Sequence, residues 1–180
     1  MNFDLSQNYF QLFALPASFA VDQTQLSKSF RERQKELHPD RFTAADDQQQ
    51  RLSVQASAYV NEAYATLKDA VKRAKYLLFI KGVNLDEDLD TSVDTAFLME
   101  QMVLREQLEE VAEQDDPFAA LAELSAQVKT RMTELSNDFA ADYAAENLSQ
   151  ARDNVRKLLF LNRLRQQAHE LEGELEDQLD

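Results

Sequence analysis

Asp22-Gln23-Thr24-Gln25-Leu26-Ser27-Lys28-Ser29-Phe30-Arg31-Glu32-Arg33-Gln34-Lys35-Glu36-Leu37-His38-Pro39-Asp40 reads as one amphipathic helix that ends in an abrupt corner. Asp22 is suited to cap the helix N-terminus, with Gln25 three residues later in a capping-box arrangement. Pro39 cannot continue the helix, and it biases His38 away from the α region. At about 100° per residue from Leu26, Phe30 and Leu37 fall within about 40° of it and form a core stripe. Lys28, Arg31 and Lys35 fall between about 140° and 200°, on the opposite face. One side of the helix is apolar. The other carries cations toward an imidazole and a carboxylate held on either side of a proline.

Working outward, Asn8-Tyr9-Phe10-Gln11-Leu12-Phe13-Ala14-Leu15-Pro16 predicts a short aromatic helix before the basic one. After the corner, Asp46-Asp47 opens a long helix with Leu52, Ala56, Val60, Ala63 and Leu67 at helical spacing. The series Tyr9-Phe10-x-Leu12-Phe13-x-Leu15-Pro16, basic helix, His38-Pro39-Asp40-Arg41-Phe42, then Val60-Asn61-Glu62-Ala63-Tyr64-x-x-Leu67, resembles a J-domain. That is the module through which co-chaperones engage DnaK-class heat-shock ATPases. Arg73-Ala74-Lys75-Tyr76-Leu77-Leu78, Asp94-Thr95-Ala96-Phe97-Leu98-Met99-Glu100-Gln101 and Val155-Arg156-Lys157-Leu158-Leu159-Phe160-Leu161 narrow the resemblance. They are similar to the HscB family, the J-type co-chaperones of bacterial iron–sulfur cluster assembly. The resemblance covers nearly the whole chain and is weakest over residues 113–148 and in the acidic tail.

Composition sets the class independently. Two glycines, three prolines and abundant Ala, Leu, Glu and Gln in 180 residues predict an all-α protein. Period-2 alternation and Asn-Gly or Asp-Gly hairpin turns are absent from the sequence. With no cysteine, the chain can hold no disulfide, no thiolate-ligated zinc and no cysteine-bound cluster. Asp4, Gln7 and Asn8 break any secretory pattern, and no apolar run reaches transmembrane length, so a soluble, cytoplasmic protein is expected.

The formal charge of −14 is unevenly placed. Residues 1–81 carry 11 Lys and Arg against 9 Asp and Glu, whereas residues 82–180 carry 8 against 24. The split predicts two modules facing different partners, and the acidic half disfavours nucleic acid and anionic membranes. The basic stripe suits an acidic protein surface. The boundaries expected are an N-terminal helical J-domain over 1–81, an acidic connector over 82–92 and a three-helix bundle over 93–180. A helix over Lys72–Lys81 should end at Gly82, with a lysine in its last turn. The connector contains no Pro and few small residues, which suits a defined angle between modules. The bundle helices are expected at about 93–113, 117–143 and 146–176, restarted by Asp115-Asp116-Pro117 and near Asn147, with a fraying Glu-rich end from Glu170 to Asp180. Asp86, Asp88 and Asp90 match the start of a calcium loop, but Thr91 and Phe97 stand where that loop needs Gly and a bidentate Glu. No metal is expected.

The first bundle helix is apolar on two sides. Around Phe97, the residues Leu104, Leu108 and Val111 fall within about 40° and supply a bundle stripe. Leu98, Met99, Met102 and Val103 fall between about 100° and 240°, with Glu106 near 180°. A second apolar face can be buried against the other module, form a dimer interface, or stand exposed for another protein. The residues alone leave these open, although methionine suits an adaptable binding surface. The HscB resemblance implies binding: in that family this helix and an aromatic of the last helix engage the iron–sulfur scaffold protein. The matching positions are Leu98, Met99, Met102, Glu106 and Phe160, with Val103 standing where an acidic residue is common. Leu158-Leu159-Phe160-Leu161 is too continuous for one buried stripe, so one member should face outward.

A catalytic reading is disfavoured. His38 and Asp40 flank a proline and point apart, His169 lies in the acidic terminal helix as a surface residue, and no Gly-rich phosphate loop exists. The sequence predicts an adaptor and no enzyme, without cofactor and as a monomer. By resemblance, Lys28, Arg31, Lys35, His38, Pro39 and Asp40 would contact a DnaK-class chaperone of the HscA type and promote its ATP hydrolysis, with Asp40 pairing to a chaperone arginine. The bundle would bring it the iron–sulfur scaffold protein. The alternatives are a general J-protein delivering another client, against which the missing Gly/Phe-rich linker and zinc module count, and a purely structural helical adaptor with an accidental His-Pro-Asp.

Overall fold

Asn8 accepts from the backbone N–H of Gln11, and the Gln11 side chain accepts from that of Asn8, closing a reciprocal capping box on the first helix. From there the computed structural model describes residues 4, 6–37, 47–85 and 94–178. Its helices are α1 Tyr9–Leu12, α2 Gln23–Leu37, α3 Asp47–Lys68, α4 Ala70–Ile80, α5 Thr95–Glu109, α6 Pro117–Ala144 and α7 Leu148–Asp177. No strand occurs among the described residues. The protein is all-α. The chain divides into two compact units, Met1–Gly82 and Val83–Asp180. The His38-Pro39-Asp40 corner, connector residues 86–92 with their calcium-like aspartates, and the last two residues lie outside the described residues.

In the first unit α2 and α3 form the main helix pair, joined by α1 and α4 against α3. Asp22 caps α2 by accepting from the N–H groups of Thr24 and Gln25. Leu26 and Leu37 are buried, while Phe30 is half-buried and stacks on Tyr64 with ring centroids 4.0 Å apart. Ala56, Val60, Ala63 and Leu67 are buried in α3. Leu52 is not: it is 37% exposed, and Ser53 takes the inward position. The helical period explains this, since Ser53 lies about 20° from Val60 whereas Leu52 lies about 80° away. Ser53 satisfies its hydroxyl by donating to the carbonyl of Gln50 at 2.8 Å.

Asp69 starts α4 as a separate helix by accepting from the N–H of Lys72. Arg73 is buried, donates to the Leu67 carbonyl at 2.6 Å, and lies over the Phe19 ring at 4.8 Å. Burial pushes its guanidinium below its ordinary value, with Asp69 opposing the shift. Tyr76 stacks on Tyr9 at 4.1 Å and accepts from its N–H at 3.0 Å. The Arg73-to-Leu78 motif is thus a packing motif. Gly82, at φ +76°, follows the end of α4 and donates to Phe79 at 2.9 Å.

In the second unit α6 and α7 form a long hairpin of 28 and 30 residues. At about 1.5 Å per residue both run past 40 Å. Pro117 follows the capping Asp116 at the start of α6. The hairpin turn is a Schellman motif: Asn147 donates to Asp142, Glu146 to Tyr143, and Glu146 sits at φ +57°. The Glu-rich end, expected to fray, is helical as far as Asp177. Ala168 and Leu175 are buried, because the hairpin partner is long enough to cover them. The first bundle helix does not run through to residue 113: α5 ends at Glu109, and Val111–Glu113 forms a 3-10 turn that buries Val111.

Candidate partner-binding surfaces

On α2, the burial of Leu26 and Leu37 turns Lys28, Arg31 and Lys35 outward, and all three are exposed. Arg33, which the charge pattern did not single out, lies on the inner side of the same helix. It donates to the Leu12 carbonyl at 3.3 Å and pairs with Glu36 at 3.1 Å, tying α2 to α1. Its place about 20° from Leu26 was the available signal. α2 therefore sorts its cations: one braces the fold, and three face out along the helix that runs up to His38.

On α5, Phe97, Leu104 and Val111 are buried and Leu108 is half-buried, leaving the second apolar face outward. Leu98 is 44% exposed, Met99 64%, Met102 72% and Val103 51%, and Glu106 is exposed among them. Two charged clamps fix this helix. Lys157 on α7 donates to Asp94, which also caps α5 through the N–H of Phe97, and the Lys157 ammonium lies 5.4 Å from the Phe97 ring centroid. On the other side Arg131 of α6 bonds Glu100 at 2.9 Å and Glu134 at 3.0 Å. The Lys157 bond, followed by the Phe97 N–H, holds the Asp94 carboxyl below its ordinary range. For Arg131, burial opposes the charge, but Glu134 and Glu100 outweigh it and raise the guanidinium.

Phe160 joins this face from α7. It is half-buried, meets Phe97 edge-on at 5.8 Å and 86°, and carries the Arg105 guanidinium at 5.4 Å. Its neighbours Leu158 and Leu161 are fully buried. Arg105 was not among the residues read from the sequence, although its helical position beside Leu98 was visible there. Grooves of about 670 Å³ toward α6 and about 510 Å³ toward α7 flank α5, bordered by Val103 and Leu98 respectively. An apolar ridge between two grooves that mix apolar surface with charged and amide side chains can take up a partner's apolar side chains, with hydrogen-bonding groups on either side. His169 is exposed beside Glu172 on α7, and among the described residues no acidic, His or Cys cluster could hold a metal ion. No helix among them is long and apolar enough to cross a membrane.

A helical unit whose basic helix leads into His-Pro-Asp, followed in the chain by a three-helix unit with an exposed apolar face, defines a J-domain co-chaperone. A DnaJ domain matches residues 8–76, a span that includes the His-Pro-Asp, and an HSCB C-terminal oligomerisation domain matches residues 93–169. The chain is 44% identical to a co-chaperone protein HscB homolog of Colwellia psychrerythraea, over 94% of this chain and 99% of the relative. It is similar to the structure of chaperone HscB from Vibrio cholerae, with TM-score 0.83, 38% identity and coverage of 94% and 99%. Against the human co-chaperone HscB the TM-score is 0.86 at 28% identity, covering 94% of this chain and 84% of that one. The chain belongs to the HscB co-chaperone family.

Proposed function

We propose that the chain couples two partners through separate surfaces, with the boundaries 1–81, 82–92 and 93–180 dividing the work. Lys28, Arg31 and Lys35 draw in a DnaK-class chaperone of the HscA type by charge, and His38-Pro39-Asp40 promotes its ATP hydrolysis. Leu98, Met99, Met102, Val103, Glu106 and Phe160 hold the iron–sulfur cluster scaffold protein, so that delivery and hydrolysis act on one client. The chain acts by binding and carries out no chemistry of its own; it works as a monomer in the cytoplasm. The observation that carries the reading is the exposed apolar face of α5, which the bundle leaves uncovered while burying the opposite stripe. Contiguous exposed apolar surface of this kind marks a protein-binding site.

The test is titration of the scaffold protein into the Leu98→Ala, Met102→Ala, Phe160→Ala combination. Binding should disappear while the variant still stimulates the chaperone ATPase; a variant that binds like the wild type removes the surface assignment. The matched domain's description names oligomerisation. Self-association through the same face is therefore the second reading, and sedimentation of the chain alone separates the two.

A further inference from the structure

Met99 and Met102, at 64% and 72% exposure, stand three residues apart near the centre of the α5 apolar face. Met132, on α6, is only 9% exposed. The chain contains no cysteine, so its four methionines hold all of its sulfur. We propose that the Met99 and Met102 thioethers form a reversible oxidation site through which peroxide releases the scaffold protein. The inference rests on the reading of α5 as the scaffold-binding surface.

The chemistry is a two-electron oxygen transfer. A thioether lone pair attacks one oxygen of hydrogen peroxide, the O–O bond breaks, and a proton shift lets the other oxygen leave as water. Sulfur is oxidised to the sulfoxide and peroxide is reduced. Methionine sulfoxide reductases reverse the step with two electrons from a dithiol, releasing the oxygen as water, one enzyme for each sulfoxide epimer. Exposure gives peroxide access to Met99 and Met102, whereas packing shields Met132.

The consequence follows from where the sulfurs sit. A thioether is soft and apolar and adapts to an apolar partner; a sulfoxide carries a strong acceptor that needs a donor once water is excluded. In helical projection Glu106 falls between the two methionines, and an ionised carboxylate only accepts. The nearest cation on the helix, Arg105, lies over the Phe160 ring. Neither of these charged neighbours is set to donate to a sulfoxide, so oxidation places a strong acceptor in the middle of an apolar face.

The experiment treats the whole protein with graded hydrogen peroxide, maps the sulfoxides by peptide mass spectrometry, and titrates each preparation with the scaffold protein. Met99 and Met102 should oxidise well before Met132, and affinity should fall about tenfold or more as they do. Treatment with both sulfoxide reductases should restore it, and Met99→Gln/Met102→Gln, with a polar amide in place of the thioether, should show a similar loss with an unchanged melt. Equal affinity of the oxidised and reduced proteins overturns the inference while leaving the scaffold surface in place. So does a loss that tracks Met132 or Met1, or one that the reductases fail to reverse. A reduced wild type that does not bind the scaffold overturns the surface reading, and the inference with it.

Discussion

Phe160 is the residue where the packing of the bundle meets the proposed scaffold surface. Its ring supports Phe97, a member of the bundle stripe, and also reaches the surface under Arg105. Met102 supports nothing comparable and is largely exposed. Met102→Ala is therefore expected to shift stability by no more than about 0.5 kcal/mol. Phe160→Ala should cost about 1–2 kcal/mol, a fraction of the 3–5 typical of a fully buried Phe. Thermal melts of the two single variants check this, and a melt of Met102→Ala far below that of Phe160→Ala would place Met102 in the core. At this scale the sequence was informative where a residue had one neighbour face to choose. The crowding of Leu158, Leu159, Phe160 and Leu161 indicated that one member leaves the core without saying which; the family resemblance pointed to Phe160, and the structure leaves both Leu159 and Phe160 half-buried. The sequence did not show Arg33 bracing α1 or Arg105 over Phe160, because both depend on which helix lies opposite.

α5 owes its position to its ends as much as to its stripe. Asp94 ties its first turn to Lys157, and because that contact lowers the folded-state value, the sign is fixed. The contribution is present above the ordinary value of 3.8 and is lost as pH falls through the lower folded value. Asp94→Asn should retain a cap but lose the charge pair, so its stability should fall less steeply than the wild type's between about pH 5 and pH 2. Equal acid limbs in denaturant titrations would show that the clamp contributes nothing.

For α2 the exposed cations predict a different signature. Reversing Lys28, Arg31 and Lys35 to Glu should weaken chaperone binding at least about tenfold, and wild-type binding should itself weaken as salt rises. Binding indifferent to both would reduce the stripe to a solvated face. Helix existence was legible throughout from apolar spacing, but ends were less so. Ala14, at φ +52°, and Glu146 occupy left-handed positions after α1 and α6 where glycine would have announced a stop. The expected end of α5 failed for a related reason: the 3-10 turn keeps Val111 on the stripe after the α-helix has closed.

For the whole molecule, the contrast between a near-neutral first half and an acidic second half anticipated two units, and a tendency to long helices with few glycines anticipated their all-α character. Burial of the Glu-rich end of α7 could not be read, since it depends on how far the neighbouring helix extends, whereas the exposure of Leu52 was legible in the helical period that turns Ser53 inward. The central claim is that the chain acts on a DnaK-class ATPase through its His-Pro-Asp. Its most direct test is the ATP hydrolysis rate of that chaperone with wild-type chain and with Asp40→Asn protein of matched circular dichroism. The account predicts acceleration by the wild type and essentially none by Asp40→Asn; equal acceleration by both would contradict it.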